Sequence, residues 1–499
     1  MSNESRRGGA SLAHGRKAPR AVEASPAMSE STPPSLLQDG PLEAPARAAL
    51  DRLSDALVRV EPTALRESSL ASGHVGLALA HAYLAPIFPE RPHGDAMQSM
   101  LDAAMDSVAS GPSAPSLHSG FVGLSWLVQH LQSDDGEESA EAAAPPAETD
   151  EGDPNASVDA ELLQWLGTMG PSHPFDLIEG LVGVGLYALE RTSVASGRAI
   201  VERVVDRLAE AASHERDGLA WPTHIEWIPP AYRAGRPERY FDLGLAHGQA
   251  GVLGFLGAAC ARGLAKDRAA TLLARGMDWM LAQRLADVAA ESRFPTWIVP
   301  GEAPYAARDA WCYGDPGVAI SLLIAARGAN EPSWEAAALE VARHAAARPL
   351  GGTRCADAGL CHGAMGDAHI FHRLHRMTGD PLFAERARAY LELGLRLGGP
   401  AAGVGGFSAW GPIEDAAPIE GAADEAPRNP PVDPAHPALG WTPEPGFLTG
   451  AAGIALVLAA ALGPGAGDAD DDDRDGPSWD RVLLTSARGT ARPRAGTPR

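Results

Sequence analysis

Seven copies of the pattern Gly-x-x-Gly in this 499-residue chain each follow a loop and open a segment rich in Ala, Leu and Val. The first glycines lie 47 to 87 residues apart, which leaves room for two helices and their loops in each interval. A helix that is apolar all round is buried, whereas the segments before the glycine pairs carry Arg and Glu on one side and should be half exposed. The pairs are Gly73/Gly76, Gly120/Gly123, Gly180/Gly183, Gly248/Gly251, Gly314/Gly317, Gly363/Gly366 and Gly450/Gly453.

An inner and an outer helix repeated seven times predict an all-α fold, an α/α toroid of seven inner and about seven outer helices. Shorter repeats of 20–50 residues usually indicate an open solenoid. That solenoid remains the alternative, but the longer and uneven repeats of this chain favour a closed barrel.

Composition shifts divide the chain into a barrel and its low-complexity fringes. The barrel domain is expected to be interrupted by two surface insertions and an acidic loop, and to lie between two disordered tails. The tails are 1–41 and 486–499, the barrel is 42–485, the insertions are 133–158 and 400–445, and the acidic loop is 464–476.

The acidic composition argues against nucleic acid as the main partner. The chain has 41 Lys and Arg against 64 Asp and Glu, a formal net charge of −23, whereas binding phosphate requires a basic surface. Its 4 cysteines form no disulfide framework, and free thiols fit a reducing, cytoplasmic setting. No apolar run is long enough to span a bilayer, so we expect no transmembrane segment.

Two of the scarce cysteines occupy the same position in their repeats. Cys312 and Cys361 each stand two residues before a glycine pair, and His247 and His362 each stand one residue before a pair. If the repeats are equivalent, these side chains lie at one end of the barrel, near its axis. His118 shares the cysteine position, and we interpret it as a polar residue of the pocket.

Cys312, Cys361 and His362 are ligands of the kind that zinc prefers, and three protein ligands leave one coordination position open, as in catalytic sites. We therefore predict a Zn²⁺ site formed by these three residues. A metal that is already bound by two thiolates suits a substrate thiol, because coordination deprotonates it at neutral pH. Cys260 is interpreted as core and Cys355 as a spare thiol.

Five motifs resemble those of one known family, and they lie within residues 42–484. They are DLIEGLVG at 176–183, FDLGLAHGQAG at 241–251, FPTW at 294–297, RDAWCYGDPG at 308–317 and LCHGAMG at 360–366. With these motifs the chain resembles the lanthionine synthetase C-like family, the cyclases of lanthipeptide biosynthesis. The family's fold, an α/α toroid with seven inner helices, agrees with the repeat count.

The resemblance implies roles for further residues. Cys312, Cys361 and His362 match the zinc ligands. Three other residues match catalytic positions: His247 the acid/base histidine, Asp176 its partner, and Arg308 an essential arginine. The implied reaction is a Michael-type addition of cysteine thiolates to dehydroalanine or dehydrobutyrine, which forms lanthionine and methyllanthionine rings.

The implied partners follow from the same resemblance. The substrate would be a dehydrated precursor peptide of leader and core, and a separate dehydratase and an exporter could act beside a stand-alone, class I type cyclase. A biosynthetic complex could also hold the protein at the membrane surface. Aromatic residues between the motifs are expected to line the site: Trp221, Trp227, Tyr240, Trp297 and Tyr305.

Two other functions stay open. One is the addition of glutathione or another small thiol to dehydroamino acids, and the other is a non-catalytic zinc toroid that serves as a scaffold. A glycosidase toroid requires two carboxylates across a cleft, and only Asp176 and Glu179 lie near the predicted site. His369, His372 and His375 are spaced along one helix face, which we expect to be exposed.

Overall fold

The structure is a computed structural model that describes residues 35–133, 153–170, 172–228, 233, 237–286, 291–399, 403–412, 439–463 and 478–487. Within these ranges it contains fourteen α-helices and seven short β-strands. Among the described residues, no helix has both the length and the apolar character needed to cross a membrane.

Seven helices form the inner layer, and each begins at one of the glycine pairs. Their side chains are almost entirely buried, as the apolar runs predict. They are α2 (His74–Leu84), α4 (Phe121–Ser133), α6 (Leu181–Glu190), α8 (Gln249–Ala261), α10 (Asp315–Ala329), α12 (Ala364–Thr378) and α14 (Ala451–Leu462).

The other seven helices alternate with them in the chain and form the outer layer. They bury one face and expose the other. They are α1 (Glu43–Leu57), α3 (His93–Ser110), α5 (Ala156–Thr168), α7 (Ala195–Ala211), α9 (Lys266–Ala282), α11 (Pro332–Ala347) and α13 (Pro381–Leu397). Each inner helix contacts the next one, and α14 returns to contact α2, so the barrel is closed. The toroid prediction is therefore confirmed, and the open solenoid is wrong.

A ring of main-chain hydrogen bonds closes the end of the barrel where the inner helices begin. Each loop before a glycine pair donates an N–H to the carbonyl of another such loop, over distances of 2.6 to 3.3 Å. From donor to acceptor, the bonds join Ala71 to His118, His118 to Ile178, Leu177 to Ala246, Ala246 to Cys312, Cys312 to Cys361, Cys361 to Leu448 and Leu448 to Ala71. Both cysteines at the predicted ligand position therefore belong to this ring.

The glycine pairs are required by the close approach of each loop to its own helix. In all seven repeats, a Cβ on the second glycine would overlap the carbonyl oxygen of the residue six positions earlier. Gly317, for example, lies against the Trp311 carbonyl, and Gly366 against that of Leu360. Among the paired glycines only Gly314 has a positive φ, of 109°, so contact distance rather than left-handed backbone explains the pattern.

The strands form three small antiparallel sheets attached to the barrel. β1 (Ser213–Glu215) pairs with β2 (Gly218–Ala220), and β4 (Arg239–Asp242) lies between β3 (Thr223–His224) and β5 (Trp297–Ile298). The third sheet pairs β6 (Ala409–Pro412) with β7 (Leu439–Thr442), with Trp410 opposite Trp441.

Several predicted boundaries need correction. The tail predicted at 1–41 is wrong for residues 35–41, because Leu36 and Leu37 are only 5% and 2% exposed and pack into the core. The insertion predicted at 133–158 overlaps the end of α4 and the start of α5, and the insertion at 400–445 contains β6 and β7. The loop at 464–476, residues 1–34 and residues 488–499 lie outside the described residues.

Two buried histidines join α1, α2 and α3 through hydrogen bonds. The Nδ1 atoms of His81 and His93 lie 2.8 Å apart, and Nε2 of His93 lies 2.7 Å from Ser54 Oγ. Both imidazoles are fully buried. Burial, followed by the proximity of His93, lowers the pKa of His81 to about 3. Burial, followed by the charge of Arg91, lowers the pKa of His93 to about 4.

These histidines should make the barrel sensitive to acid. Because each folded-state pKa lies below the unfolded value of about 6.5, the pair stabilises the fold above pH 6.5 and loses that contribution as the pH falls towards 4. At pH 5 the loss should be on the order of 2 kcal/mol for each histidine. Urea unfolding at neutral and acid pH would measure it.

His93→Gln keeps a hydrogen-bonding group but cannot titrate. The free energy of unfolding should therefore differ less between neutral and acid pH than it does in the wild type. His214→Gln replaces an exposed histidine and should leave this pH dependence of the unfolding free energy as in the wild type. An unchanged difference in the His93 variant would contradict the assignment.

Candidate metal centre

Cys312, Cys361 and His362 form a compact cluster of potential metal ligands. Their ligand atoms all lie within 4.8 Å of one another, which is close enough to surround one ion. Within the described parts of the chain, no other group of His, Cys, Asp and Glu side chains meets this criterion. Two sulfurs and one imidazole are donors that suit zinc and leave room for a fourth ligand.

The ring of main-chain hydrogen bonds fixes the position of Cys312 relative to Cys361 in this cluster. The Cys312 N–H donates to the Cys361 carbonyl over 3.2 Å, so the two cysteines are side by side on neighbouring loops. Cys312 is 4% exposed, and the His362 side chain is 22% exposed. The cluster is therefore partly open on its histidine side.

Arg308 lies beside the cysteines and makes their surroundings positive. Its Nη2 lies 3.6 Å from Cys312 Sγ. A hydrogen bond from the Cys361 thiol, together with the Arg308 guanidinium, holds the pKa of Cys312 well below its usual range despite burial. The same hydrogen bond raises the pKa of Cys361, so the pair favours one thiolate and one thiol.

His247 and Asp176 form a second functional pair at the same end of the barrel. His247 Nδ1 donates to Asp176 Oδ2 over 2.8 Å, and their side chains are 39% and 14% exposed. Asp176 also accepts the Glu179 N–H over 2.7 Å, so it caps its own loop as well. Burial lowers the pKa of His247, but Asp176, Asp242 and Cys312 more than compensate and raise it to about 9.

Tyr313 and Asp242 extend this pair, and neither was predicted from the sequence. The Tyr313 ring stacks beside that of His247, with centroids 6.2 Å apart. Burial, followed by the nearby charge of Asp242, raises the pKa of Tyr313 well above its usual range. Tyr313 follows Cys312 and shares the repeat position of His247 and His362, a signal that could have identified it.

Asp357 was also overlooked, and it lies behind the candidate ligand His362. Its Oδ2 is 3.9 Å from His362 Nε2. It also accepts main-chain N–H groups from Gly359 and Trp410, so the carboxylate is fixed between the loop before α12 and strand β6. At 3.9 Å the contact with His362 is electrostatic rather than a hydrogen bond.

The remaining polar candidates lie outside the cluster. His118 is fully buried. On α12, His369 and His372 are only 2% and 7% exposed, so the prediction of an exposed histidine face is wrong. Cys355 donates its thiol to the Asp357 carbonyl at 3.5 Å. Burial raises the pKa of the Cys355 thiol. Burial also raises the pKa of the Cys260 thiol, in α8, to about 11.

The predicted aromatic lining divides into two groups. Trp221 and Tyr240 are core residues, 0% and 1% exposed. Trp227 and Trp297 are partly buried, and Tyr305 is 39% exposed. Tyr305 packs edge to face on Trp297 with centroids 5.3 Å apart, in the loop that leads to Arg308.

A family model described as lanthionine synthetase C-like protein matches residues 65–401. The chain belongs to the lanthionine synthetase C-like family. Among solved structures it is similar to one titled nisin cyclase, with a TM-score of 0.63 and 17% sequence identity, over 89% of this chain and 97% of that one. At this identity the likeness establishes the fold, which agrees with the toroid described above.

The family assignment and the cluster together predict one metal ion per chain. Cys312→Ala and Cys361→Ala should each lose it, because two ligands rarely hold an ion against competition. Metal analysis of the purified variants would measure the loss. Cys260→Ala and Cys355→Ala are the matched controls and should keep the ion, whereas full occupancy in both ligand variants would show that the metal binds elsewhere.

Proposed function

We propose that this member of the lanthionine synthetase C-like family is a zinc-dependent peptide cyclase that forms thioether rings in a dehydrated lanthipeptide precursor. The observation that carries the proposal is the meeting of three potential ligands with the His247–Asp176 pair and Arg308 at one end of a closed barrel. These groups come from four different repeats, and the hydrogen-bonded ring brings their loops together.

Cys312, Cys361 and His362 would hold the zinc. When bound, the ion would keep a substrate cysteine as a thiolate, which is the nucleophilic form at neutral pH. The Asp357 carboxylate, 3.9 Å from His362 Nε2, would stabilise positive charge on the His362 ring. The partial exposure of His362 and His247 leaves this side of the site accessible to a peptide.

His247 would move the protons of the reaction. Nδ1 donates to Asp176, so Nε2 is the nitrogen that can exchange a proton with the substrate. With a pKa of about 9, the imidazole is protonated at neutral pH and enters the reaction as a general acid. Its proton would go to Cα of the former dehydroamino acid after the carbon–sulfur bond has formed at Cβ.

Arg308 would stabilise negative charge on the substrate. Addition of a thiolate to the double bond places charge on the adjacent carbonyl oxygen, and a guanidinium next to the thiolate site is well placed to neutralise it. A fixed donor of this kind typically contributes about 3 kcal/mol to a transition state. Arg308 Nη2 lies 3.6 Å from Cys312 Sγ. This position supports a role in the reaction over that of a surface ion pair.

The variant His247→Asn should separate metal binding from proton transfer. Since His247 is not among the clustered ligands, the variant should retain zinc while its cyclisation rate falls by roughly 10²–10⁴-fold, the usual contribution of an acid/base group. Cyclisation of a dehydrated peptide at the normal rate would contradict the assignment.

The variant Asp176→Asn tests whether Asp176 keeps His247 protonated. Loss of the carboxylate removes a group that raises the pKa of His247, so the protonated form should be lost at lower pH. The alkaline limb of the rate profile should therefore move towards neutral pH while zinc is retained. A profile that keeps its alkaline limb would show that Asp176 does not set the protonation of His247.

Mass spectrometry after thiol alkylation would test the reaction itself. Ring closure is an addition within one molecule, so it leaves the peptide mass unchanged but protects cysteines from alkylation. A dehydrated precursor incubated with the enzyme should lose alkylatable cysteines. Cysteines that stay fully alkylated, with glutathione adducts when that thiol is supplied, would instead favour small-thiol addition.

A further inference from the structure

Residues 478–486, the C-terminal segment, lie inside the ring of inner helices. The segment begins with a 3₁₀ helix, Ser478–Leu483, and its side chains from Trp479 to Leu484 are almost fully buried apart from Arg481. Ser478 bonds to Tyr83 of α2, Arg481 bonds to Glu190 of α6, and Leu484 lies against Gly254 of α8. Contacts with helices spread around the barrel place the segment in its interior.

Asp480 is the anchor of the segment. Its carboxylate is fully buried and accepts hydrogen bonds from His369 Nε2 at 2.7 Å and from Arg373 Nε and Nη2 at 2.5 Å. The hydroxyls of Thr485 and Ser486 add bonds of 2.9 and 2.7 Å. His369 and Arg373 lie on α12, the helix that follows Cys361 and His362 directly. The segment is therefore fixed to the helix that directly follows two candidate ligands.

The other end of the segment contacts the residue that precedes the third candidate ligand. The indole Nε1 of Trp311 donates to the Leu483 carbonyl over 2.9 Å, and Trp311 immediately precedes Cys312. Trp311 is 1% exposed, so this bond is shielded from water. Leu484 has a φ of 54°, which is uncommon for leucine and persists only where surrounding contacts impose it.

We propose that residues 478–486 are an internal brace that sets the position of Cys312 relative to Cys361 and His362, with Trp311 as the positioning residue. The brace rests on the proposed metal centre, because its purpose is to hold the ligands at metal-binding distances. Main-chain bonds already join the Cys312 loop to its neighbours in the ring, and the Leu483 carbonyl fixes that loop from inside the barrel. Groups behind the ligands commonly change metal affinity by about 10- to 100-fold.

The alternative is that the segment only fills the barrel, in which case it affects stability but not the metal. A matched pair of tryptophans distinguishes the two. Trp221 is also fully buried, and its Nε1 likewise donates to a main-chain carbonyl, that of Leu208, over 2.8 Å. Trp311→Phe and Trp221→Phe each leave one buried carbonyl without its donor, so both should lower the melting temperature by a similar amount.

Zinc affinity, measured by competition with a chelator, is the deciding quantity. Trp311→Phe should bind zinc roughly 10- to 100-fold more weakly and should alter the thiolate-to-cobalt charge-transfer band of the Co²⁺-substituted protein. Trp221→Phe should match the wild type in affinity and spectrum. Equal affinities and spectra in the two variants would overturn the brace.

Thr485→Val is the second variant if Trp311→Phe does not fold. It removes one hydroxyl from Asp480 without changing Trp311 or the candidate ligands, and it should weaken zinc binding several-fold. An unchanged affinity would also overturn the brace. A wild-type protein that binds zinc but forms no rings would refute the proposed reaction and leave the brace intact. A wild-type protein that binds no zinc would refute the metal centre and the brace together.

Discussion

The ring of seven main-chain hydrogen bonds is the constraint on which the rest of the structure depends. It joins the loops in front of the inner helices, and in doing so it closes the barrel and fixes the spacing of the residues that the loops carry. Buried backbone groups must find partners, and here the partners come from neighbouring repeats. A change in any one loop would therefore alter the distance between the others.

The glycine pairs make this ring sterically possible. Each loop folds back onto its own helix so closely that a Cβ on the second glycine would overlap the carbonyl oxygen six residues earlier. The pairs were therefore good guides to where the inner helices begin. They also explain why Cys312 and Cys361, which share one position in the repeat, become neighbours although 49 residues separate their glycine pairs.

The site combines this repeated geometry with contacts that no repeat predicts. His247 and Asp176 were expected to act together, and they form a bond of 2.8 Å. Asp357, Asp242 and Asp480 were not expected to take part, because each looks like an ordinary loop or terminal aspartate in the sequence. Their importance comes from burial beside His362, Tyr313 and Arg373, where an unpaired carboxylate would be costly.

The sequence by itself determined the number of inner helices, their starting points and the three clustered residues that are candidate ligands, because glycine spacing and repeat position are local properties of the chain. It misjudged the histidines of α12 and residues 35–41, because their burial depends on what packs against them. Only the tertiary structure decided that Leu36 and Leu37 enter the core and that the chain returns through the barrel to contact Trp311. Trp311 and Leu483 are 172 residues apart, and only closure of the barrel brings that donor and that carbonyl within hydrogen-bonding distance.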